Sequence, residues 1–555
     1  MELVLSYLLP IVAGLAMIAV LVVAHEFGHF VAAKLFNIGV PVFSVGIGPR
    51  LFGLNFRGTD YRVSLLPVGG YVRMSGADPF GEPDEDAFVD PETDFMKKPV
   101  WQRLIVMVAG PGFNLGLPFV LFTALLMLGE PQADVVVGTV MPSSPGEHAG
   151  FLPDDRVVAV GGEEVEVWAE LVSALDERAL EPQIPIDIIR DGQPLQLTLG
   201  PGAVRFSIDG MVDMEKVGIW ASRLSTRIGV DDPTSPAWQA GLRTGDAIVS
   251  VDGQVVETLA ELKQELSGVN KAEITYLRIQ DSELVEGKAS LVSASWHPRH
   301  DDDLVDSFGL LPSVLFVGSV NEESPANTLG VLADDRVYSV DGKPVRAWSD
   351  LLRYVADTVP EEGAEPRPLD LVLIREGQRL TIELTPEIQR DVVRGQVRYR
   401  PIMGIGIYPD AFVSGPIVKK YYSIVEAVPR ATSEGMMVFT HTLSVLGNLF
   451  TGKLKPKESI GGPIEIFRMA GAAASRGIFD YARMIGIISF SLGILNLLPV
   501  PVLDGGQIFF YAIEGIRGRP LSIEFREKVQ MIGVVGLVAV MLLVSVMDVS
   551  RWLGG

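Results

Sequence analysis

Residues 21–36 of the chain read LVVAHEFGHFVAAKLF, and they continue an apolar run that begins near residue 5. Ionisable side chains in a helix this apolar are costly, at least ~2.5 kcal/mol each, and usually mark a functional site. His25 and His29 are four residues apart, so their imidazoles share one helix face with Glu26 nearby. The spacing predicts that His25 and His29 bind one Zn²⁺ and that Glu26 is the general base. The alternative is a pair of buried structural histidines.

Four segments are apolar and long enough to cross a bilayer, which takes about 20 helical residues. They are residues 5–36, 103–128, 482–503 and 531–547. The first lacks the basic start and the cleavage site of a secretory signal, so it is predicted to be retained. A shorter stretch at 436–450 is flanked by polar residues and is predicted to lie at the membrane interface. The chain is therefore predicted to be a multi-pass α-helical membrane protein.

Charge and composition restrict the possible binding partners and indicate how the chain is oriented in the membrane. The formal net charge of -23 argues against a nucleic-acid partner, and the absence of cysteine excludes disulfides and cysteine-ligated metals. Basic residues cluster in the two short loops, which the positive-inside rule places in the cytoplasm. The long segment between the second and third spans is then predicted to be extracytoplasmic. The basic residues are Arg50, Arg57, Arg62, Arg73, Lys97 and Lys98 in one loop and Arg517, Arg519, Arg526 and Lys528 in the other.

A catalytic zinc site needs a third protein ligand, and Asp504 in NLLPVPVLDGG (496–506) is the candidate. At a rise of about 1.5 Å per residue, His25 lies roughly 27 Å along the first span, and Asp504 lies roughly 33 Å along the third. Both would then lie near the cytoplasmic side of the bilayer. Pro499 and Pro501 are predicted to break the span and free backbone groups for substrate, or simply to end it.

The segment between the second and third spans contains a threefold repeat, at 143–165, 234–256 and 323–345, with a period of about 90 residues. In each copy a Ser-Pro opens a short helix, a Gly ends it, and an alternating strand, a Gly turn and a second helix follow. The copies resemble circularly permuted bacterial PDZ domains, which implies α+β units that bind peptides; the alternative is that they are spacers or filters with no affinity for peptides. Only the second copy has Gly before the repeated Asp, at 245, whereas residues 154 and 334 are Asp.

Taken together, these motifs resemble the site-2 protease family of intramembrane zinc metalloproteases. Within the resemblance, YRVSLLPVGGYVRM (61–74) is similar to a membrane-associated β-hairpin, AGPGFN (109–114) to a second-span motif, and GGPIEI (461–466) to a segment before the third span. It implies a Zn²⁺-dependent endopeptidase of the bacterial inner membrane. The implied substrates are single-span proteins: anti-sigma factors after a first cut outside, or remnant signal peptides. A third PDZ-like unit departs from the usual two.

Further residues are candidates for substrate handling. Asn114 and Asn496 are predicted to donate a hydrogen bond to the reaction's oxyanion, or to join helices. Gly69 and Gly70 lie in the predicted hairpin turn at 67–70, and the hairpin either accepts the substrate as an added strand or anchors the chain at the interface. His148, His297, His300 and His441 lack ligand spacing, and the acidic run at 79–94 is predicted to be a solvated loop.

Two other classes of function stay open: a membrane PDZ scaffold with a vestigial metal site, and a transporter. The predicted segments are the first transmembrane helix (1–36), a cytoplasmic loop with the β-hairpin (37–102), the second transmembrane helix (103–129), three PDZ-like units (130–205, 206–300 and 301–412), interfacial helices (413–480), the third transmembrane helix (481–510), a cytoplasmic loop (511–529) and the fourth transmembrane helix (530–550).

Overall fold

The computed structural model describes residues 2–76, 92–204, 212–280, 283–293, 296, 306–359, 364–393, 396–451 and 462–553. The chain divides into two compact units. The first, here the membrane unit, comprises Met1–Glu130 and Lys420–Gly555, and the second, here the array unit, comprises Pro131–Lys419.

The helices are α1 (Glu2–Leu35), α2 (Val100–Met127), α3 (Pro145–His148), α4 (Trp168–Glu177), α5 (Met214–Val217), α6 (Pro236–Gln239), α7 (Leu259–Leu266), α8 (Pro325–Thr328), α9 (Trp348–Ala356), α10 (Ile424–Phe450), α11 (Pro463–Arg476), α12 (Ile478–Leu497), α13 (Asp504–Arg517) and α14 (Ile523–Leu553), with short 3₁₀ helices at Phe95–Lys97 and Ser313–Leu315.

The strands are β1 (Val42–Phe56), β2 (Thr59–Arg73), β3 (Pro131–Ala133), β4 (Thr139–Val140), β5 (Arg156–Val160), β6 (Glu163–Glu164), β7 (Ile184–Arg190), β8 (Gln193–Leu199), β9 (Ile219–Trp220), β10 (Arg223–Leu224), β11 (Ile228–Gly229), β12 (Ala247–Val251), β13 (Gln254–Val255), β14 (Lys271–Gln280), β15 (Glu283–Val292), β16 (Leu311–Pro312), β17 (Ser319–Val320), β18 (Arg336–Val340), β19 (Lys343–Pro344), β20 (Leu369–Arg375), β21 (Gln378–Leu384), β22 (Glu387–Val393), β23 (Gln396–Ile402), β24 (Ile405–Gly406), β25 (Phe412–Val413) and β26 (Ile417–Lys419).

Four helices of the described chain are long and apolar enough to cross a membrane, which confirms the four predicted spans. They cover Leu8–Leu35, Val100–Met127, Ile478–Leu497 and Glu524–Asp548. Helix α10, which contains the predicted interfacial stretch at 436–450, is not among them. The four spanning helices all belong to the membrane unit.

The predicted third transmembrane helix (481–510) is interrupted at Pro499 and Pro501, where a break was predicted, so the estimate of the depth of Asp504 along one helix from 482 does not hold. Helix α12 ends at Leu497, residues 498–503 form a non-helical turn, and Asp504 begins a new helix. Pro499 has no N–H to donate and disfavours helical geometry at the residue before it, and Leu498 is accordingly extended. The predicted cytoplasmic loop at 511–529 is also largely helical, because it holds the end of α13 and the start of α14.

The membrane helices approach one another at glycines. A Cβ on Gly28 of α1 would lie 3.0 Å from the Cα of Gly110 on α2. A Cβ on Gly471 of α11 would lie 2.6 Å from Cγ of Pro10 on α1. Small residues at such crossings let two helix backbones pack closely. Close packing matters in lipid, because the hydrophobic effect does not drive helices together there.

Strands β1 and β2 form an antiparallel pair joined by the turn Arg57–Gly58. Residues 42–45 of β1 pair on one side with 60–63 and on the other with 70–73. Strand β2 therefore folds back so that 42–45 lies between 60–63 and 70–73. Among the described strands, 70–73 pairs only with 42–45, and its other edge has no partner strand. The turn predicted at 67–70 is a bend inside β2, where Gly69 has a φ of 95°.

The array unit consists of three similar repeats, each with a four-stranded antiparallel sheet. The strand orders are β6-β5-β7-β8, β13-β12-β14-β15 and β19-β18-β20-β21. In each repeat the serine of the Ser-Pro pair caps a short helix that begins at the proline, and a longer helix packs on the sheet. The first core extends to Ile219 and the second to Leu310, beyond the predicted boundaries at 205 and 300.

One ion pair recurs in all three repeats. An aspartate that is at most 1% exposed binds an arginine at or near the end of the third strand, with Nε–Oδ1 distances of 2.6–2.7 Å. The residue before each aspartate has a positive φ whether it is Asp or Gly, so the departure at 154 and 334 leaves the backbone unchanged. The pairs are Asp155–Arg190, Asp246–Arg278 and Asp335–Arg375.

Candidate metal centre

Three side chains from two helices meet inside the membrane unit. The Nε2 atoms of His25 and His29 lie 3.2 Å apart. The carboxylate of Asp504 lies 2.9 Å from Nε2 of His25 and 3.6 Å from Nε2 of His29. A tetrahedral ion with bonds of about 2.0–2.1 Å keeps its ligand atoms about 3.3 Å apart, so these separations suit one shared metal ion.

The crossing of α1 and α2 fixes the orientation of His29. Its Nδ1 lies 2.7 Å from the carbonyl oxygen of Val106. A carbonyl only accepts, so Nδ1 carries the proton and the lone pair of the neutral ring is on Nε2, which faces Asp504. A Cβ on Gly110 would lie 2.6 Å from Cε1 of His29. Glycine at 110 therefore leaves the space that the imidazole occupies.

The turn at 498–503 brings Asp504 to the histidines. A Cβ on Gly505 would lie 2.5 Å from the carbonyl carbon of Leu497, and one on Gly506 would lie 2.6 Å from Cα of Pro501. The two glycines thus allow α13 to start directly against the end of α12. Asp504 is in the first turn of α13, where the helix dipole favours a carboxylate.

A buried ion pair ties α13 to α2. Arg103 is 4% exposed and binds Glu514 with both terminal nitrogens, at 3.2 and 2.5 Å. The Arg103 guanidinium also lies over the ring of Tyr511, 4.8 Å from its centre. Because bidentate geometry fixes both distance and direction, this pair helps to set where α13 places Asp504.

Two asparagines face the other ring nitrogen of His25. Nδ2 of Asn114 lies 3.2 Å from His25 Nδ1, and Nδ2 of Asn496 lies 3.4 Å from the same atom. Asn114 is fully buried, and its Oδ1 has no hydrogen-bond partner among the described residues. Since Nε2 of His25 faces the other ligand atoms, Nδ1 would carry a proton when a metal is bound and would need an acceptor. Rotating the Asn114 amide by half a turn supplies one, because the two amide orientations are nearly indistinguishable by shape.

Glu26 lies beside this cluster, with His25, His29 and Asp504 as its electrostatic neighbours. Its carboxylate accepts a hydrogen bond from the backbone of Val72 in β2. The strand runs so close to α1 that a Cβ on Gly70 would lie 3.6 Å from Cγ of Glu26. Residues 70–73 therefore cover the turn of α1 that carries Glu26.

The structure brings His25, Glu26, His29 and Asp504 together, with the two asparagines at the edge of the cluster. Pro499 and Pro501 lie in the turn before Asp504, and Gly69 in the bend of β2. Of the other histidines, His297 and His300 lie outside the described residues.

Sequence reasoning missed two backbone groups, the Val106 carbonyl and the Val72 N–H. Every residue carries such groups, so no sequence signal identifies them. The glycines at the α1–α2 crossing could have been found from the sequence, since Gly28 lies in the motif HEFGH and Gly110 in the motif AGPGFN.

The chain is similar in sequence to a known peptidase family over most of its length. The model of the family described as Peptidase family M50 matches residues 13–540. The chain is 27% identical to the Regulator of sigma-E protease RseP of Salmonella typhimurium and 28% identical to that of Escherichia coli, each over 556 residues that cover 99% of this chain and 100% of the relative. A relative from Pasteurella multocida, whose name includes the words zinc metalloprotease, is 27% identical over 542 residues, or 97% of each chain.

Proposed function

The chain belongs to peptidase family M50, and on that premise we propose that it is a zinc endopeptidase that cuts transmembrane segments of other membrane proteins. The observation that carries this proposal is the convergence of His25, His29 and Asp504, whose ligand atoms all lie within 4.8 Å of one another. Zinc, the metal named for a relative, suits two imidazoles and one carboxylate with a position left for water.

The proposed chemistry is hydrolysis with Glu26 as general base. His25, His29 and Asp504 would hold the zinc ion, which when bound would supply a Lewis acid able to lower the pKa of a water molecule to about 7. Glu26 accepts a proton from the water as its oxygen attacks the scissile carbonyl carbon, and passes that proton to the amide nitrogen as the C–N bond breaks. The hydrogen bond from Val72 orients the Glu26 carboxylate.

We assign the two asparagines different roles. Asn114, with its unpaired buried oxygen, positions His25. Asn496, the more distant of the two from His25, is the proposed donor to the oxyanion.

Substrate must be unwound before it can be cut, because a transmembrane helix has closed its own hydrogen bonds. We propose that the unwound segment adds as a strand to residues 70–73, whose outer side faces Glu26. Gly70 lets this strand pack closely against α1, because a Cβ there would lie 2.9 Å from Cγ1 of Val22, and Gly69 forms the bend before it. The turn that contains Pro499 and Pro501 is a second proposed contact for the substrate backbone. Cysteines placed along a substrate should cross-link to Tyr71→Cys and not to Arg57→Cys at the far turn. Equal cross-linking at both would contradict strand addition.

The proposed setting is the bacterial inner membrane, with the array unit outside as PDZ-like domains and the active site near the cytoplasmic side. The substrates proposed are anti-sigma-type single-span proteins already trimmed outside, and remnant signal peptides. The array would exclude substrates that still carry a bulky outer domain. Deleting 135–410 should then permit cleavage of untrimmed substrate, whereas loss of all cleavage would contradict the exclusion role.

The decisive experiment compares wild type with Glu26→Gln in proteoliposomes that contain a trimmed single-span substrate. Glu26→Gln should bind zinc as wild type does and lose about 10²–10⁴ of the turnover. Asp504→Asn should lose zinc as well, and Lys34→Gln on the same helix is the control. A scaffold predicts no cleavage by wild type, and a transporter predicts solute flux that survives Glu26→Gln.

A further inference from the structure

Residues 405–419, here called the strap, run back along all three repeats of the array unit. They begin on the third repeat, where β24 pairs with β17. They then pass the second repeat, where Ser225 donates its N–H to the carbonyl of Ala411 at 2.9 Å. They end on the first repeat, where β26 pairs with β3. The first and last strands of the array unit are thus paired with each other.

The contacts in the middle of the strap join the second and third repeats. Tyr408 donates its hydroxyl hydrogen to Asp334 of the third repeat and lies under the guanidinium of Arg227, 5.3 Å from ring centre to cation. Arg227 also binds Asp410 of the strap, with Nε 2.6 Å from Oδ1. A direct ion pair between Asp231 and Arg336, 2.7 Å long and almost fully buried, reinforces the same junction.

The far end of the strap joins the first repeat. The rings of Phe412 and Trp220 lie 5.2 Å apart, and Phe412 belongs to β25, which pairs with β10. Asp134 donates its N–H to the carbonyl of Pro416 at 2.8 Å. The short strands β3 and β10 have no other partner strand in the part of the chain that the structure describes.

We infer that the strap is a built-in strand ligand that closes the array into one rigid block. It fills the edges of β3 and β10, so those edges cannot capture a peptide by strand addition. The array then screens substrates by their bulk and not by peptide sequence at those edges. This inference rests on the proposed exclusion role, because a chain of freely jointed repeats would let a bulky domain pass.

The first test locks the strap in the full-length protein, which contains no cysteine of its own. Ala133→Cys with Ile417→Cys places two thiols at a paired position. The control pair is Ile279→Cys with Leu284→Cys, in the exposed β14–β15 hairpin. Oxidation should change cleavage of trimmed substrate by less than about twofold in both proteins, since a permanently bound strap need not move. A tenfold or greater loss in the first protein alone, reversed by a reductant, would show that the strap must leave and would overturn the inference.

The second test loosens the strap with Tyr408→Ala and Phe412→Ala. Amide hydrogen exchange of residues 131–135 and 223–227 should accelerate by about tenfold or more. Untrimmed substrate should then be cut while cleavage of trimmed substrate is unchanged. Unchanged exchange, or faster exchange with untrimmed substrate still uncut, would each overturn the inference. If wild type fails to cut even trimmed substrate, the proposed function fails, and the hydrogen-exchange result alone still decides whether the strap holds the edges of β3 and β10.

Discussion

Replacing Asn114 by leucine tests whether this side chain holds His25 in its metal-binding orientation. The substitution keeps the approximate volume and removes the amide oxygen that we expect to accept the Nδ1 proton of His25. That proton would then be buried without a partner, which costs about 1–3 kcal/mol. Loss of the second hydrogen bond of a ligating histidine typically weakens metal binding by about 10–100-fold, and the two estimates agree.

The assay is zinc affinity of purified protein in detergent, measured by competition with a chromogenic chelator. Asn114→Leu should weaken zinc binding by about 10–100-fold, whereas Asn114→Asp, which retains an acceptor oxygen, should stay close to wild type. Ser489→Ala is the matched control: Ser489 donates to the backbone carbonyl of Asn114 at 2.8 Å and does not bind His25. The reasoning would be refuted if Asn114→Leu bound zinc within twofold of wild type, or if the Asp variant bound as weakly as the Leu variant.

Three further substitutions probe the supports of the site and of the array. Gly110→Ala should abolish zinc binding because its Cβ would collide with His29, whereas Gly112→Ala, which meets nothing within 4 Å, should bind normally in the same chelator assay. Arg103→Leu leaves Glu514 buried without its partner and should destabilise the membrane unit by about 3–5 kcal/mol, measured by thermal unfolding in detergent. In the array unit, partial desolvation raises the pKa of Asp334, although the residue keeps an exposed surface. A carboxyl with a raised folded-state pKa stabilises the fold at acid pH and loses that contribution as pH rises through this pKa. Asp334→Asn should therefore raise the melting temperature of the array unit at pH 7 and leave it nearly unchanged below pH ~3.9, the ordinary value for Asp; a decrease at pH 7 would contradict this.

The sequence predicted the ligand candidates better than the path of the chain between them. The four-residue spacing alone predicts that His25 and His29 share one helix face, because a single apolar segment that crosses a membrane has to be helical. Asp504 was selected because a carboxylate in an apolar segment needs a partner. The estimate of its depth assumes one helix from 482, whereas α12 ends at Leu497, just before the two prolines that are predicted to break the span.

Pairings between distant segments were beyond the reach of local patterns. The strap pairs residues 417–419 with 131–133, nearly three hundred positions apart, through backbone groups that carry no side-chain signature. The same holds for the Val72 N–H that reaches Glu26. The repeats were visible because each is a local unit of about 90 residues whose turns and caps have their own sequence signals.

The break before Asp504 is a requirement of the site and not an accident of its sequence. A straight helix from Ile478 to Asp504 would rise about 39 Å, more than the roughly 30 Å of the hydrocarbon core. The turn at 498–503 ends the first helix within the bilayer, and a second helix begins at Asp504, which supplies the carboxylate. Asp504 thereby gains the favourable end of a helix dipole, and Gly505 and Gly506 let the turn close tightly enough to reach the histidines. The proline pair and the glycine pair on either side of Asp504 are therefore one structural device that delivers a charged ligand to a helix buried in lipid.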